Sequence, residues 1–279
     1  MTEKSVTRNQ LREFREYLAK EEKSPATIEK YLRDAGTFIA FAAGREVTKV
    51  LTVLYKQSLI EKNYAIRSIN SMLAGLNSFL EFLGLEEARV KSLKQQKQIF
   101  SAAEKELTKA EYMQLLEASK GQEQLNLIIQ TICGTGIRVS ELKYFTLEDV
   151  RRGEVHVRCK NKTRTILVPG KLRKLLLNFA KKKGIREGCV FITKSGRHLD
   201  RSNIWSQMKS LCEKAGVSAA KVFPHNLRKL FARTFYGIEK DIAKLADILG
   251  HSNIETTRIY IMTTGTEHRR KIERLGLVV

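Results

Sequence analysis

The sequence predicts a mainly α-helical protein with one small β-hairpin, an α+β chain in two domains. Three observations predict it. Only 3 prolines and 17 glycines punctuate 279 residues, which favours long helices over many short strands. Apolar residues recur at helical spacing along most of the chain. The one clear β pattern is Val155–Cys159 followed by Thr165–Val168, two runs flanking a short basic turn. Hydrophobic residues at 42% supply enough material for real cores.

The first part reads as all helix. Leu11, Phe14 and Leu18 mark a helix over 9–19. Ser24-Pro25 opens a second, with Ser24 as N-cap and Pro25 at the first helical position, and Gly44 is the expected stop. A third helix is expected over 48–61. A fourth, over 65–83, carries Ile66, Ile69, Met72, Leu73, Leu76, Phe79, Leu80 and Phe82 and ends at Gly84. Residues 1–90 are read as one helical domain. Residues 91–106, with Lys91, Lys94 and Lys97 among polar residues, read as a short helix or basic linker joining two domains, with a merely solvated helical face as the alternative.

The second domain is expected over 107–279. Thr108 and Glu111 form a capping-box pattern ahead of Tyr112, Leu115 and Leu116. A helix over 123–133 leads into Gly134-Thr135-Gly136. After the hairpin, helices are expected over 171–182, 202–215, 224–236, 240–249, 253–260 and 266–274, with a short strand over 189–192.

Charge narrows the function. Lys and Arg number 51 against 30 Asp and Glu, a formal net charge of +21. The first 100 residues hold 17 cations against 12 acids, and the remainder 34 against 18, so the second part is the stronger electrostatic partner. A polyanion is the natural ligand, nucleic acid first. The opening Met-Thr-Glu-Lys-Ser-Val has no apolar signal core, and no apolar run reaches the length of a membrane span, so no membrane partner is expected. The 4 cysteines form no CxxC pair and the histidines do not stand near them at zinc-ligand spacing. No metal, no cofactor and no disulfide framework are expected, and the expected compartment is the reducing cytoplasm.

Four segments of the second part can carry chemistry. Gly134-Thr-Gly-Ile-Arg138-Val-Ser-Glu141-Leu releases one helix and starts the next turn with an arginine; alone it is an ordinary helix corner. Pro224-His225-Asn-Leu-Arg228-Lys puts a histidine and an arginine on one helix face, where helix capping on a basic surface would serve equally well. Leu249-Gly-His251-Ser-Asn holds a histidine in a tight inter-helix turn, and Tyr260 follows nine residues later; singly, these are a capping histidine and a core tyrosine. Together with a lysine-bearing hairpin they make a metal-free kit for phosphodiester chemistry. Cations clamp the non-bridging oxygens, a tyrosine attacks, and an acid protonates the departing sugar oxygen.

On these motifs the chain resembles the tyrosine recombinases, the phage integrase and Xer-like family. The resemblance covers about 107–274 through Gly-Thr-Gly-Ile-Arg138-Val-Ser-Glu-Leu, His225-Asn-Leu-Arg228-Lys, Leu-Gly-His251-Ser and Tyr260. The first hundred residues resemble the family's SAM-like helical core-binding domain. The resemblance implies that Arg138 and Arg228 hold the scissile phosphate and that His225 and His251 hydrogen-bond it and assist proton transfer. Tyr260 is then the nucleophile of a 3′-phosphotyrosyl link, and Glu141 braces Arg138. Lys160 is the implied general acid and Lys162 the runner-up. The family's Gly-Lys-Gly-x-Lys turn is here Cys159-Lys160-Asn161-Lys162-Thr163-Arg164, without either glycine. Lys91, Lys94, Lys97, Lys162 and Arg164 are DNA-contact candidates.

The implied function is site-specific recombination of double-stranded DNA at inverted-repeat core sites. It implies a homotetramer on two sites, exchange of the C-terminal tail between protomers, and accessory proteins in some systems. Two alternatives stay open on sequence grounds: a type IB topoisomerase-like nicking and resealing enzyme, and a non-catalytic DNA-binding protein of the same fold.

Overall fold

The computed structural model describes residues 9–95, 103–159, 162–193, 195–262 and 265–276. Two compact units divide between Lys97 and Gln98.

Among the described residues the first unit contains four helices, α1 (Gln10–Lys20), α2 (Pro25–Ala42), α3 (Lys49–Glu61) and α4 (Ile66–Phe82), and a 3-10 turn at Glu86–Ala88. Ser24 caps α2 by accepting from the Thr27 amide, and Thr48 caps α3 through the Leu51 amide. The left-handed residue that ends α2 is Ala43, one position before the expected Gly44. Phe14, Leu18, Phe38, Leu73, Leu76 and Phe79 are fully buried and form the core. Helices α2 and α4 meet where the buried Asp34 of α2, paired with Lys30, packs on Gly75 of α4; a β-carbon at Gly75 would lie 2.6 Å from Asp34 Oδ2.

Residues 90–95 are not helical. Two side-chain amides of α4 explain why. Asn77 exchanges two hydrogen bonds with the backbone of Val90, at 2.8 and 2.9 Å. Asn70 does the same with Leu93, at 3.0 and 2.7 Å. These amides supply the partners that a neighbouring strand would supply, and they hold the segment extended. Val90 is buried, Leu93 half-buried, and Lys91 and Lys94 are exposed. Lys97 lies outside the described residues.

The second unit begins with α5 (Lys109–Ala118), whose capping box is complete: Thr108 accepts from the Glu111 amide and Glu111 accepts from the Thr108 amide. Then come α6 (Glu123–Thr135), a 3-10 helix (Val139–Tyr144) and α7 (Leu147–Arg152). The short α7 was not expected; its signal is Thr146, which caps it through the Asp149 amide. Strands β1 (Glu154–Cys159) and β2 (Lys162–Leu167) form an antiparallel hairpin in which Val157 faces Arg164 and Cys159 faces Lys162. Helices α8 (Gly170–Lys182), α9 (Arg201–Ser210), α10 (Cys212–Ala215), α11 (Pro224–Glu239), α12 (Ile242–Leu249), α13 (Ile254–Ile261) and α14 (Gly265–Glu273) complete the unit.

The strand expected over 189–192 is replaced by two isolated bridges, Thr146 with Cys189 and Ile192 with His198. Val190 and Phe191 are buried, so this apolar run fills the core without a ladder partner. The helix expected over 202–215 breaks into α9 and α10 at Leu211.

Candidate active site

Four chain segments converge on one site, and each is shaped by its local sequence. Helix α6 stops at Gly136, whose φ of 66° suits a residue without a side chain. A β-carbon there would also lie 2.4 Å from Phe231 of α11. The close approach lets the Gly136 carbonyl accept from Arg228 Nη1. The chain then turns through the buried Ile137 to Arg138, the N-cap of the 3-10 helix.

Glu141 is buried, with its side chain 4% exposed, and it binds two arginines. Oε2 accepts from the Arg138 amide at 2.7 Å and from Arg164 Nη2 at 2.5 Å, while Oε1 accepts from Arg138 Nη1 at 3.1 Å. A carboxylate this buried requires such charge-assisted partners. Arg164 also donates to the Ile248 carbonyl at the end of α12. Its side chain is only 13% exposed, so in this structure it ties the hairpin to the site and is not presented to solvent as a phosphate contact.

Helix α11 starts with Pro224 at its first position and carries His225 and Arg228 on consecutive turns. Asn226, between them, is buried and donates to the carbonyls of Lys105 and Lys221. Arg228 is 1% exposed, and its Nη2 donates to the Leu249 carbonyl at 2.7 Å and to His251 Nε2 at 2.9 Å. Its Nε is buried with no protein partner. Burial, and then the neighbouring Arg138 charge, push the Arg228 pKa down to about 10, leaving it charged at neutral pH.

Gly250, at φ 63°, ends α12, and Asn253 caps α13. The turn between them holds His251, whose Nδ1 lies 2.9 Å from Thr257 Oγ1. Tyr260 of α13 is buried, and its hydroxyl is 3.4 Å from His225 Nδ1. The His225 and His251 rings stand edge-on to the Tyr260 ring at centroid distances of 4.9 and 5.0 Å, and the Arg228 guanidinium lies 5.8 Å from its centroid. Desolvation first, and then the surrounding cations, push both histidines down to about 4. Both are therefore free bases at neutral pH.

Arg138, His225, Arg228 and Tyr260 line one cavity of about 810 Å3. Arg201, Trp205 and Phe223 also line it. The sequence reading did not single out these three. Trp205 is the chain's one tryptophan and stands 49% exposed at the cavity, a signal that composition alone does not locate. Of the hairpin lysines, Lys160 lies outside the described residues, and Lys162 is described only as a backbone position of β2. Among the described residues no group of three His, Cys, Asp or Glu could hold a metal ion, and no helix is long and apolar enough to cross a membrane.

Such a site, two arginines and two neutral histidines around one tyrosine on a helical scaffold, defines a phosphodiester-handling class. The chain belongs to the phage integrase family, the tyrosine recombinases, and within it to the Xer-like group. The phage integrase family model matches residues 105–266, and the model of its N-terminal SAM-like domain matches residues 11–87. Tyrosine recombinase XerA of Pyrococcus furiosus is 32% identical over 100% of this chain and 98% of its own length. Tyrosine recombinase XerD of Halalkalibacterium halodurans is 29% identical over 87% of this chain and 89% of its own. Among solved structures, a crystal structure of XerA recombinase covers 98% of this chain and 100% of its own, with a TM-score of 0.55 at 24% identity. A lambda integrase dimer bound to a COC' core site covers 93% and 96%, with a TM-score of 0.74 at 17% identity. These two likenesses describe the fold.

Proposed function

We propose that this protein cleaves and rejoins double-stranded DNA at specific sites through a 3′-phosphotyrosyl intermediate on Tyr260. The observation that carries the reading is the convergence of Tyr260, His225, Arg138 and Arg228 on one cavity, with the tyrosine hydroxyl 3.4 Å from a histidine that is neutral at pH 7. His225 Nδ1 accepts the tyrosyl proton as the oxygen attacks phosphorus. The P–O5′ bond breaks, and the departing oxygen takes a proton from the hairpin lysine, assigned to Lys160 on sequence, with Lys162 next. Arg138 and Arg228 stabilise the charge that builds on the non-bridging oxygens. A 5′-hydroxyl from the partner strand reverses the step, so no external energy source is required.

The biological reading extends this chemistry. The protein works as a homotetramer on two inverted-repeat sites, with residues 1–90 and 107–279 as core-binding and catalytic domains joined by the basic linker 91–106. Lys91, Lys94 and Lys97 serve DNA phosphates, and the tail after Tyr260 docks on a neighbouring protomer. Support comes from the net charge of +21 and from one fold relative, a lambda integrase tetramer bound to a Holliday junction. It acts in the cytoplasm, with accessory proteins where the site requires them.

The test is to trap covalent protein–DNA adducts from a genomic library, with wild type and Tyr260→Phe in parallel, and to sequence the attached DNA. Adducts from wild type alone, carrying an inverted repeat, are expected. Salt-sensitive DNA binding with no adduct from either protein, even on a nicked suicide substrate, would contradict the catalytic reading.

A further inference from the structure

The first turn of α11 carries His225, and it begins without a capping side chain. Its N-cap is Phe223, which has no side-chain oxygen to accept from the free amides of that turn. Uncapped first turns fray, yet this one places His225 Nδ1 3.4 Å from the Tyr260 hydroxyl. A different brace is present. Asn226 is 2% exposed, and its amide nitrogen donates to the Lys105 carbonyl at 2.7 Å and to the Lys221 carbonyl at 2.8 Å. Both acceptors are fixed in turn. Lys221 Nζ donates to Glu111, the capping-box acid of α5, at 2.7 Å. The chain after Lys105 is fastened again two turns along α11, where Arg233 pairs with Glu106 and donates to the Leu107 carbonyl at 2.6 Å.

We propose that Asn226 is a positioning residue for the attacking tyrosine: by tying the first turn of α11 to the Lys105 and Lys221 carbonyls, it sets His225 Nδ1 against the Tyr260 hydroxyl. This rests on the function proposed above. Arg228, on the next turn, does not depend on this brace, because its guanidinium is bound directly to the Gly136 and Leu249 carbonyls and to His251. Among the described residues the one side-chain hydrogen bond of His225 is that to Tyr260. The place of its ring therefore follows from the backbone of the turn. That contact already stands at the outer limit of a hydrogen bond, so a small shift of the turn breaks it, and proton transfer is lost with it. Arg228 stays in place through the same shift. Asn226 thus acts on the proton of Tyr260 and not on the affinity for DNA.

The substitution that isolates the claim is Asn226→Leu, close in size and without a donor. The full-length protein is assayed on a nicked suicide substrate at saturating DNA. Asn226→Leu should slow adduct formation about tenfold, with DNA affinity unchanged. In a His225→Gln background the same substitution should change the rate by less than about twofold, because the group it positions is gone. Arg233→Met loosens the same segment two turns away from His225; it should lower the urea midpoint and leave the rate within about twofold of wild type. Should Asn226→Leu fail to fold, Asn226→Ala, which leaves room for water at the two carbonyls, is read in the same way. A folded Asn226 variant that forms adduct at the wild-type rate overturns the proposal. So does an equal loss in the two backgrounds, or an equal slowing by Arg233→Met. A wild-type protein that forms no adduct counts against the proposed function instead. Amide hydrogen exchange then still decides the brace: the Leu227 and Arg228 amides should exchange faster in the Asn226 variant, and unchanged exchange overturns it.

Discussion

Gly250 packs so closely on the stem of Arg164 that a β-carbon at position 250 would lie 2.6 Å from Arg164 Cδ. This contact joins the end of α12, and so the His251 turn, to the β-hairpin. Gly250 also has a φ of 63°, which a side chain disfavours. Gly250→Ala should therefore destabilise the protein by about 1–3 kcal/mol, through displacement of Arg164 as well as backbone strain. Urea denaturation checks it; an unchanged midpoint would show that the contact yields freely.

Arg164 separates two kinds of arginine. Its Nη1 and Nη2 are committed to the Ile248 carbonyl and Glu141, while its buried Nε has no hydrogen-bond partner. Arg164→Ala should cost about 1–3 kcal/mol of stability, because Glu141 stays buried with one partner fewer. The slope of log binding constant against log salt should stay unchanged. An arginine on a DNA phosphate would instead take about 0.9 from the magnitude of that slope when removed. A lowered slope with normal stability would restore Arg164 as a DNA contact.

How far the sequence showed this site depends on what each residue does. That Tyr260, His225, Arg228 and Arg138 would share one cavity was legible because the proposed chemistry needs those residue types, and motif spacing marks them. Glu141 was legible as a partner of Arg138, three residues away. Its second partner was not, since Arg164 reaches it from 23 residues on through the hairpin. Arg164 read as a surface cation because charge predicts exposure unless an acid is buried beside it. Thr257 and Trp205 carry no motif of their own and gain meaning only from contacts. The same holds for the fold: Ser24, Thr48 and Thr108 announce their helices by local capping. The extended course of 90–93 depends on Asn70 and Asn77, on a helix that precedes it.

Stability should depend on pH through His225 and His251. Both have folded pKa values near 4, below the ordinary 6.5. Between those values the unfolded chain binds more protons, so stability is fully present above pH 6.5 and is lost as pH falls toward 4. Urea midpoints should drop over that window, and His225→Gln combined with His251→Gln should flatten the drop. A midpoint that does not respond between pH 7 and 4.5 would show that these rings are not held neutral.

Arg138 and Arg228 should matter to cleavage more than to binding. Arg138→Ala and Arg228→Ala should each slow adduct formation at least about a hundredfold, with DNA affinity changed far less. Parallel binding and single-turnover measurements on a nicked substrate check this. Equal losses in both would make the arginines general DNA contacts.

The central claim is that the Tyr260 oxygen becomes bonded to DNA. The most direct measurement is mass spectrometry of the peptide left attached to DNA after protease digestion of a trapped adduct. The expected peptide spans α13 and carries the nucleotide on Tyr260, and it disappears in Tyr260→Phe. A nucleotide on another residue, or an adduct that persists in Tyr260→Phe, would contradict the account.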